Sequence, residues 1–264
     1  MFIAHCYRLM MNWVGLAIGN SRLHFAWFRG EELQLVWERE HLGEGELPGD
    51  VLSAGLGLDC SQDGVLRDNK IDCVCVVSVV PRQTALWRNY AHSRVIGLED
   101  IPLKGLYPSL GGDRALALWG AGAIWGFPCL VIDGGTALTF TGGKEDGVLV
   151  GGAILPGLRL QLQSLGRGTA ALPEVRLGEQ LRSRWRLDTP GAIESGVIYT
   201  ILAGIKDFIL DWWQEFPESQ VVLTGGDGGL LFRYLQLLYP EIGKRVVWEE
   251  KLIFLAMKLL VGGC

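Results

Sequence analysis

The chain has 264 residues, 24 Lys and Arg against 29 Asp and Glu, a formal net charge of −5, and a hydrophobic fraction of 49%. That is enough apolar material for one large domain or two smaller ones, and the absence of any basic stripe argues against a nucleic-acid partner. No run approaches the roughly 20 apolar residues that cross a bilayer, and the opening MFIAHCYRLMMNW lacks the ordered regions of a secretory signal. A cytoplasmic protein with no membrane partner is therefore the expectation.

Six cysteines, Cys6, Cys60, Cys73, Cys75, Cys129 and Cys264, form no paired CxxC, and with only four histidines a zinc site has weak support. The 37 glycines, about twice the ordinary fraction, gather in pairs such as Gly111-Gly112, Gly134-Gly135, Gly142-Gly143, Gly151-Gly152 and Gly225-Gly226. Pairs of this kind mark tight turns where a ligand can approach backbone amides.

The structured pattern begins at Asn12, so Met10 or Met11 reads as the start and residues 1–10 as an extension. Trp13–Ile18, Leu23–Phe28 and Leu33–Trp37 read as three strands joined by a Gly19-Asn20-Ser21 turn and an Arg29–Glu32 turn. A helix is expected over 51–58, a buried strand over Ile71–Val80 with Cys73 and Cys75 as small buried hydrophobes, and a helix opened by Pro81. Residues 95–112 read as irregular. A helix with small residues follows from Asp113, then strands at Cys129–Ile132, Ala137–Thr141 and Val148–Ala153, and a helix over Leu158–Leu165. A long helix over 192–213, a strand at Val221–Leu223, a helix over Leu230–Leu238 and a short helix over 251–260 complete the chain.

The units LAIGNSRLHFAWF and LVIDGGTALTFTGG share a plan of strand, glycine turn and returning strand, which suggests an internal duplication with its break near 113–127. Alternating strands and helices argue for α/β layers, and the hairpins for mixed sheets. Among ten tryptophans, Trp119, Trp125 and Trp185 lie in apolar context and read as core or interface, while Trp212-Trp213 could cover a partner surface.

Walker A, Rossmann, nucleophile-elbow and HExxH signatures are absent. Gly134, Gly135 and Thr136 after a strand could offer amides and a hydroxyl to a phosphate, with Asp133 acting through a cation. Gly19-Asn20-Ser21 and Thr224-Gly225-Gly226 are related turns, and each has an equally plain structural reading. Asp113 is either an N-cap satisfying first-turn amides or a general base aimed at a substrate hydroxyl.

Taken in order, these segments resemble the type III pantothenate kinase family over nearly the whole chain from Trp13. LAIGNSRLHFAWF is similar to its opening DxGNT phosphate motif, SVVP at 78–81 to the end of its central strand, and GGDR at 111–114 to GxDR. VIDGGTALTFT at 131–141 is similar to DxGTAxT, GGAILPGL at 151–158 to GGxIxPGL, and DTPGAIESG and TGGD to its later motifs. The resemblance implies an α/β fold with mixed sheets, a duplicated RNase-H-like architecture of the actin/hexokinase superfamily, with halves at 11–115 and 116–264. It also implies a homodimer that transfers the γ-phosphoryl group of ATP to pantothenate with a divalent cation such as Mg2+ and a monovalent one, K+ or NH4+.

By motif, Asp113 is the implied general base, and Gly111, Gly112, Arg114, Thr189 and Tyr107 the implied pantothenate contacts. Gly19, Asn20, Ser21, Arg22, Gly134, Gly135 and Thr136 are implied along the nucleotide, and Asp133 at the monovalent cation. One departure stands out: Ala17 occupies the place of the opening aspartate. It leaves three readings, in which Asp133 holds the cation, a neighbouring carboxylate compensates, or the chain is a non-catalytic ATP or pantothenate binder. Another small-alcohol kinase of the same superfamily is the runner-up enzyme. Retention of the GGDR, DGGT and Thr189 segments favours an active pantothenate kinase.

Overall fold

A computed structural model describes residues 11–57, 71–178 and 180–262. The expected start at Met10 and extension over 1–10 lie outside the described residues, as do Cys6, Cys60 and Cys264. The described chain forms two compact units. The first gathers the described parts of Met1–Pro102, Leu106–Gly120 and Ile253–Cys264, and the second Leu103–Gly105 with Ala121–Leu252.

In the first unit, β1 (Asn12–Ile18), β2 (Leu23–Arg29) and β3 (Glu32–Arg39) form an antiparallel meander. Helix α1 (Pro48–Gly55) follows, then β4 (Cys73–Ser78), α2 (Pro81–Arg88) and β5 (Ser93–Val95). Strands β4 and β5 add in parallel beside β1, giving the order β3-β2-β1-β4-β5. Helix α1 starts three residues earlier than expected because Pro48 suits a first helical turn. β4 is shorter than Ile71–Val80 because Ser78 Oγ takes Val80 N–H at 3.1 Å and the Thr84 hydroxyl at 2.7 Å, turning the chain into α2.

One face of this sheet packs Val14, Leu16, Phe25, Val74 and Val76 against Val51, Leu52 and Trp87 from α1 and α2. The other face meets α3 (Gly112–Trp125) and the terminal helix, in which Phe254 and Met257 lie on Gly15 and Ala256 lies on Gly120. Cys73 and Cys75 share that face, as alternate residues of a strand must. Cys75 is buried, but Cys73 is only partly so, and their sulfurs lie 3.7 Å apart.

In the second unit, β6 (Cys129–Gly134), β7 (Ala137–Lys144) and β8 (Val148–Pro156) form the meander. They are followed by α4 (Leu158–Gly168), α5 (Thr189–Glu215), β9 (Gln220–Thr224), α6 (Gly228–Leu238), α7 (Pro240–Gly243) and β10 (Val246–Trp248), while the terminal helix α8 (Leu252–Gly262) belongs to the first unit from Ile253 on. The sheet order is β10-β9-β6-β7-β8, with β6, β9 and β10 parallel. Read from the opposite edge, this is the topology of the first sheet: a three-strand meander whose first strand accepts two parallel neighbours. The duplication suggested by two glycine turns is thus present strand for strand.

Helix α5 is the main buttress of the second unit. Asp188 caps it, its carboxylate accepting Gly191 N–H at 2.7 Å, and Pro190 occupies its first turn. Ile193, Val197, Ile201, Ile205 and Ile209 then recur every four residues along one stripe. The stripe joins Leu130, Ile132, Leu138 and Phe140 of the sheet in one core. Trp212 and Trp213, expected at a partner surface, are instead buried, their indole N–H groups donating to Ser219. Trp185, expected as core or interface, is 88% exposed on the approach to α5. Its immediate neighbours, Arg184 and Arg186, were the available signal that this segment lies outside the core.

Candidate active site

In the first unit two motifs sit at the C-terminal ends of the parallel strands β1 and β4. The turn Gly19–Arg22 is closed by Gly19 N–H donating to Arg22 O at 3.0 Å. His41 Nε2 donates to Gly19 O at 2.8 Å, and Gln83 on α2 steadies that arm by bonding both the N–H and the C=O of Leu42. Asn20, Ser21 and Arg22 are exposed, and Arg22 is paired with Glu38, which also faces His24 at 3.5 Å. Burial pushes the His24 imidazole below its ordinary value, against the opposing pull of Glu38.

The second motif follows directly. Val79 N–H donates to Ile18 O at 3.2 Å, and the Val79 side chain approaches Gly111, with Val77 against Gly112. Gly111 O accepts Ala115 N–H at 3.0 Å, so the helix is entered at Gly111 and Asp113 lies two residues further on, in the first turn of α3. Asp113 is therefore not the N-cap residue, although its Oδ1 accepts Arg114 N–H at 2.7 Å. Burial pushes the Asp113 carboxyl above the usual range, and the Arg114 N–H and guanidinium only partly offset it. Arg114 is buried and donates to the Tyr107 hydroxyl at 3.3 Å. The structure thus brings Gly111, Gly112, Asp113, Arg114 and Tyr107 together, with the Gly19–Arg22 turn reached through the Ser78–Val80 corner.

In the second unit, Asp133 is the penultimate residue of β6 and pairs with Thr224 at the end of β9. The two glycine turns that follow are interlocked. Asp227 N–H donates to Gly134 O at 2.8 Å, and Gly225 closes its own turn by accepting Gly228 N–H at 2.9 Å. Gly225 has φ of +91°, and a Cβ there would overlap the Asp133 carboxylate, so only glycine lets the carboxylate lie on this backbone. Gly157, ahead of α4, donates to Thr136 O at 2.8 Å, and a Cβ on it would overlap Gly135 O. Thr136 is exposed at the crest of the turn. Gly135 N–H, expected to face a phosphate, donates to Ala137 O at 3.1 Å.

Thr189 lies elsewhere in this unit, exposed in the first turn of α5 beside a wide depression of about 510 Å³. Leu172, Arg186, Leu187, Asp188, Ala192 and Ile193 line the rest of it, and none of these belongs to the glycine turns. Sequence reasoning missed the ion pair between Arg159 Nε and Asp227 Oδ1, at 2.8 Å. The available signal was an arginine in the first turn of a helix, where the dipole opposes a cation.

Two copies of one mixed-sheet unit, each with a glycine turn at the end of its first strand, define the class. The chain has the duplicated RNase-H-like fold of the actin and hexokinase superfamily. An archaeal actin homologue of known structure is similar to it over 96% of this chain and all of its own, at a TM-score of 0.54 and 12% identity. A Campylobacter jejuni protein assigned to the Baf family of transcriptional activators is similar over 95% and 98%, at a TM-score of 0.62 and 20% identity. At such identities these likenesses speak to fold alone. A profile of type III pantothenate kinases matches residues 14–211. The type III pantothenate kinase of Nostoc sp. is 48% identical over 261 residues, 95% of each chain. The chain belongs to the type III pantothenate kinase family.

Proposed function

We propose that the protein transfers the γ-phosphoryl group of ATP to the terminal hydroxyl of pantothenate, giving 4'-phosphopantothenate, the first step of coenzyme A biosynthesis. The observation that carries this reading is Asp113. It is a partly buried carboxylate that desolvation pushes above the usual range, fixed in a helical first turn beside the Arg114–Tyr107 pair. A carboxylate so placed is a better proton acceptor for an alcohol than a solvated one. Gly111, Gly112, Arg114, Tyr107 and Thr189 are assigned to pantothenate, and the turns Gly19–Arg22 and Gly134–Thr136 to ATP.

Positioning and charge compensation carry most of phosphoryl transfer, so the rigidity of both turns matters more than base strength. A divalent ion such as Mg2+, with K+ or NH4+ as the monovalent cation at Asp133, belongs to this reading. Asp133 offers a hard carboxylate oxygen, and among the described residues no three His, Cys, Asp or Glu side chains converge. Phosphate oxygens and water would complete the shell, as is usual for magnesium. Bound there, the ion would neutralise phosphate charge. Ala17 lies opposite His24 on one side and Val77 on the other, so neither cross-strand neighbour replaces the missing carboxylate. Asp133 is therefore assigned the cation role.

The halves 11–115 and 116–264 are proposed as the duplicated units, and the enzyme as a cytoplasmic homodimer. Val150 and Ile154, exposed on the edge strand β8, offer an apolar strip for pairing, and no helix among the described residues is long and apolar enough to cross a membrane. Light scattering on the eluted protein should give twice the chain mass; a single-chain mass removes the dimer. The activity is tested by phosphopantothenate formation with ATP, magnesium and potassium, read by mass spectrometry beside a control without pantothenate. Multiple turnovers are expected. A folded protein that binds ATP and forms no product would reject the enzyme.

A further inference from the structure

We propose that Arg159 is a phosphate-binding residue of the nucleotide site, held at the glycine turns by Asp227; the proposal rests on the kinase reading above. A phosphate needs donors, and the turns of the second unit spend theirs on one another. Gly135 N–H goes to Ala137 O, Asp227 N–H to Gly134 O, Gly228 N–H to Gly225 O and Gly157 N–H to Thr136 O. The backbone that resembles a phosphate cradle is thus largely occupied in holding its own shape. A cationic side chain must supply what those amides do not.

Arg159 stands where such a group is needed. It lies in the first turn of α4, two residues after Gly157, whose amide fixes the helix start on Thr136. A cation there opposes the helix dipole, so its position calls for a compensating anion. That anion is Asp227, whose side chain is 8% exposed while that of Arg159 is 66% exposed. Asp227 does not use its carboxylate to cap α6. Both members of the pair are therefore pinned by backbone to the same Gly134–Thr136 turn, one from each flank. The pair uses only Nε of the guanidinium, and Asp227 is its only polar partner among the described residues. The two terminal nitrogens remain open to solvent, and a guanidinium can present them as a fork to phosphate oxygens.

The competing role is purely local: Arg159 could do no more than neutralise a buried aspartate. The two roles separate when both charges are removed. ATP, ADP and adenosine are titrated calorimetrically, in magnesium buffer, into the wild type, Asp227→Asn, Arg159→Lys and the double variant Arg159→Met with Asp227→Asn. The double variant should bind ATP and ADP about ten- to a hundredfold more weakly, the scale of one lost charge-assisted hydrogen bond, with adenosine unchanged. Asp227→Asn, which frees the guanidinium, should bind ATP at least as tightly as the wild type. Arg159→Lys keeps the charge and should lose less affinity than the double variant, and it provides the reading if the double variant does not fold. ATP binding by the double variant at wild-type strength would overturn the proposal, as would an equal loss for adenosine. A wild type that binds ATP but makes no phosphopantothenate would reject the pantothenate assignment and leave Arg159 standing.

Discussion

Asp113 shows how position within one helical turn decides a residue's chemistry. An N-cap aspartate is ordinarily solvated and held ionised by several amides, which lowers its pKa. Two residues past the cap position, Asp113 receives Arg114 N–H and is partly buried, and the cost of that burial outweighs its partners, so its pKa rises. The folded state then binds the proton more tightly than the unfolded chain does. This contributes stability only below the unfolded value, about 3.9, and that contribution is lost as pH climbs through the folded value. At neutral pH the ionised Asp113 costs stability, so Asp113→Asn should melt at the same or a higher temperature while turnover falls about 10²- to 10⁴-fold. A matched pair of melting curves and rates at pH 7 checks this. Full turnover by the variant would remove Asp113 from the mechanism, and a lower melting temperature would contradict the burial account.

Among the elements, α5 carries the most. Its stripe of β-branched residues packs along the second sheet, and its first turn presents Thr189 to the open depression. β-branched residues are indifferent helix formers, so packing and the cap at Asp188 hold the helix start in place. Asp188→Ala should lower stability by about 1 kcal/mol, seen as a lower urea midpoint with an unchanged slope. Because Thr189 follows directly, the Michaelis constant for pantothenate should rise while that for ATP stays put. An unmoved midpoint would mean that Asp188 is not the cap that matters, and an ATP effect would separate Thr189 from pantothenate. The short elements behave differently. β5 and β10 have three residues each, too few for any period to register, and each exists because a longer parallel strand offers it an edge.

At the scale of the molecule, each unit has its own apolar core, one around Trp87 and one around α5. Units with separate cores need not unfold together. Calorimetry should give an unfolding enthalpy larger than the van't Hoff value, and equal enthalpies would mean that the chain melts as one body. ATP at a hundredfold over its dissociation constant should add about 2.7 kcal/mol to whatever binds it. With the Asp133–Thr136 and Arg159–Asp227 groups in the second unit, the tryptophan signal of Trp212, Trp213 and Trp248 should report part of that shift.

The residues alone determined most of this protein. Strand, glycine turn and returning strand at two places announced the duplication, because a two-residue period and a turn chemistry are local properties. GGDR, DGGT and PGL identified the family for the same reason, since a backbone that must pass close to a ligand or another strand admits little but glycine. Tertiary structure alone decided the rest. Trp212 and Trp185 have equally apolar names, and only folding put one in the core and the other in solvent. Asp113 could be cap or base until the helix start was fixed at Gly111. Arg159 and Asp227 are 68 residues apart in sequence, and no local pattern joins them. Burial, pKa and ion pairing are properties of neighbours brought from afar, and a sequence specifies those neighbours only through the fold.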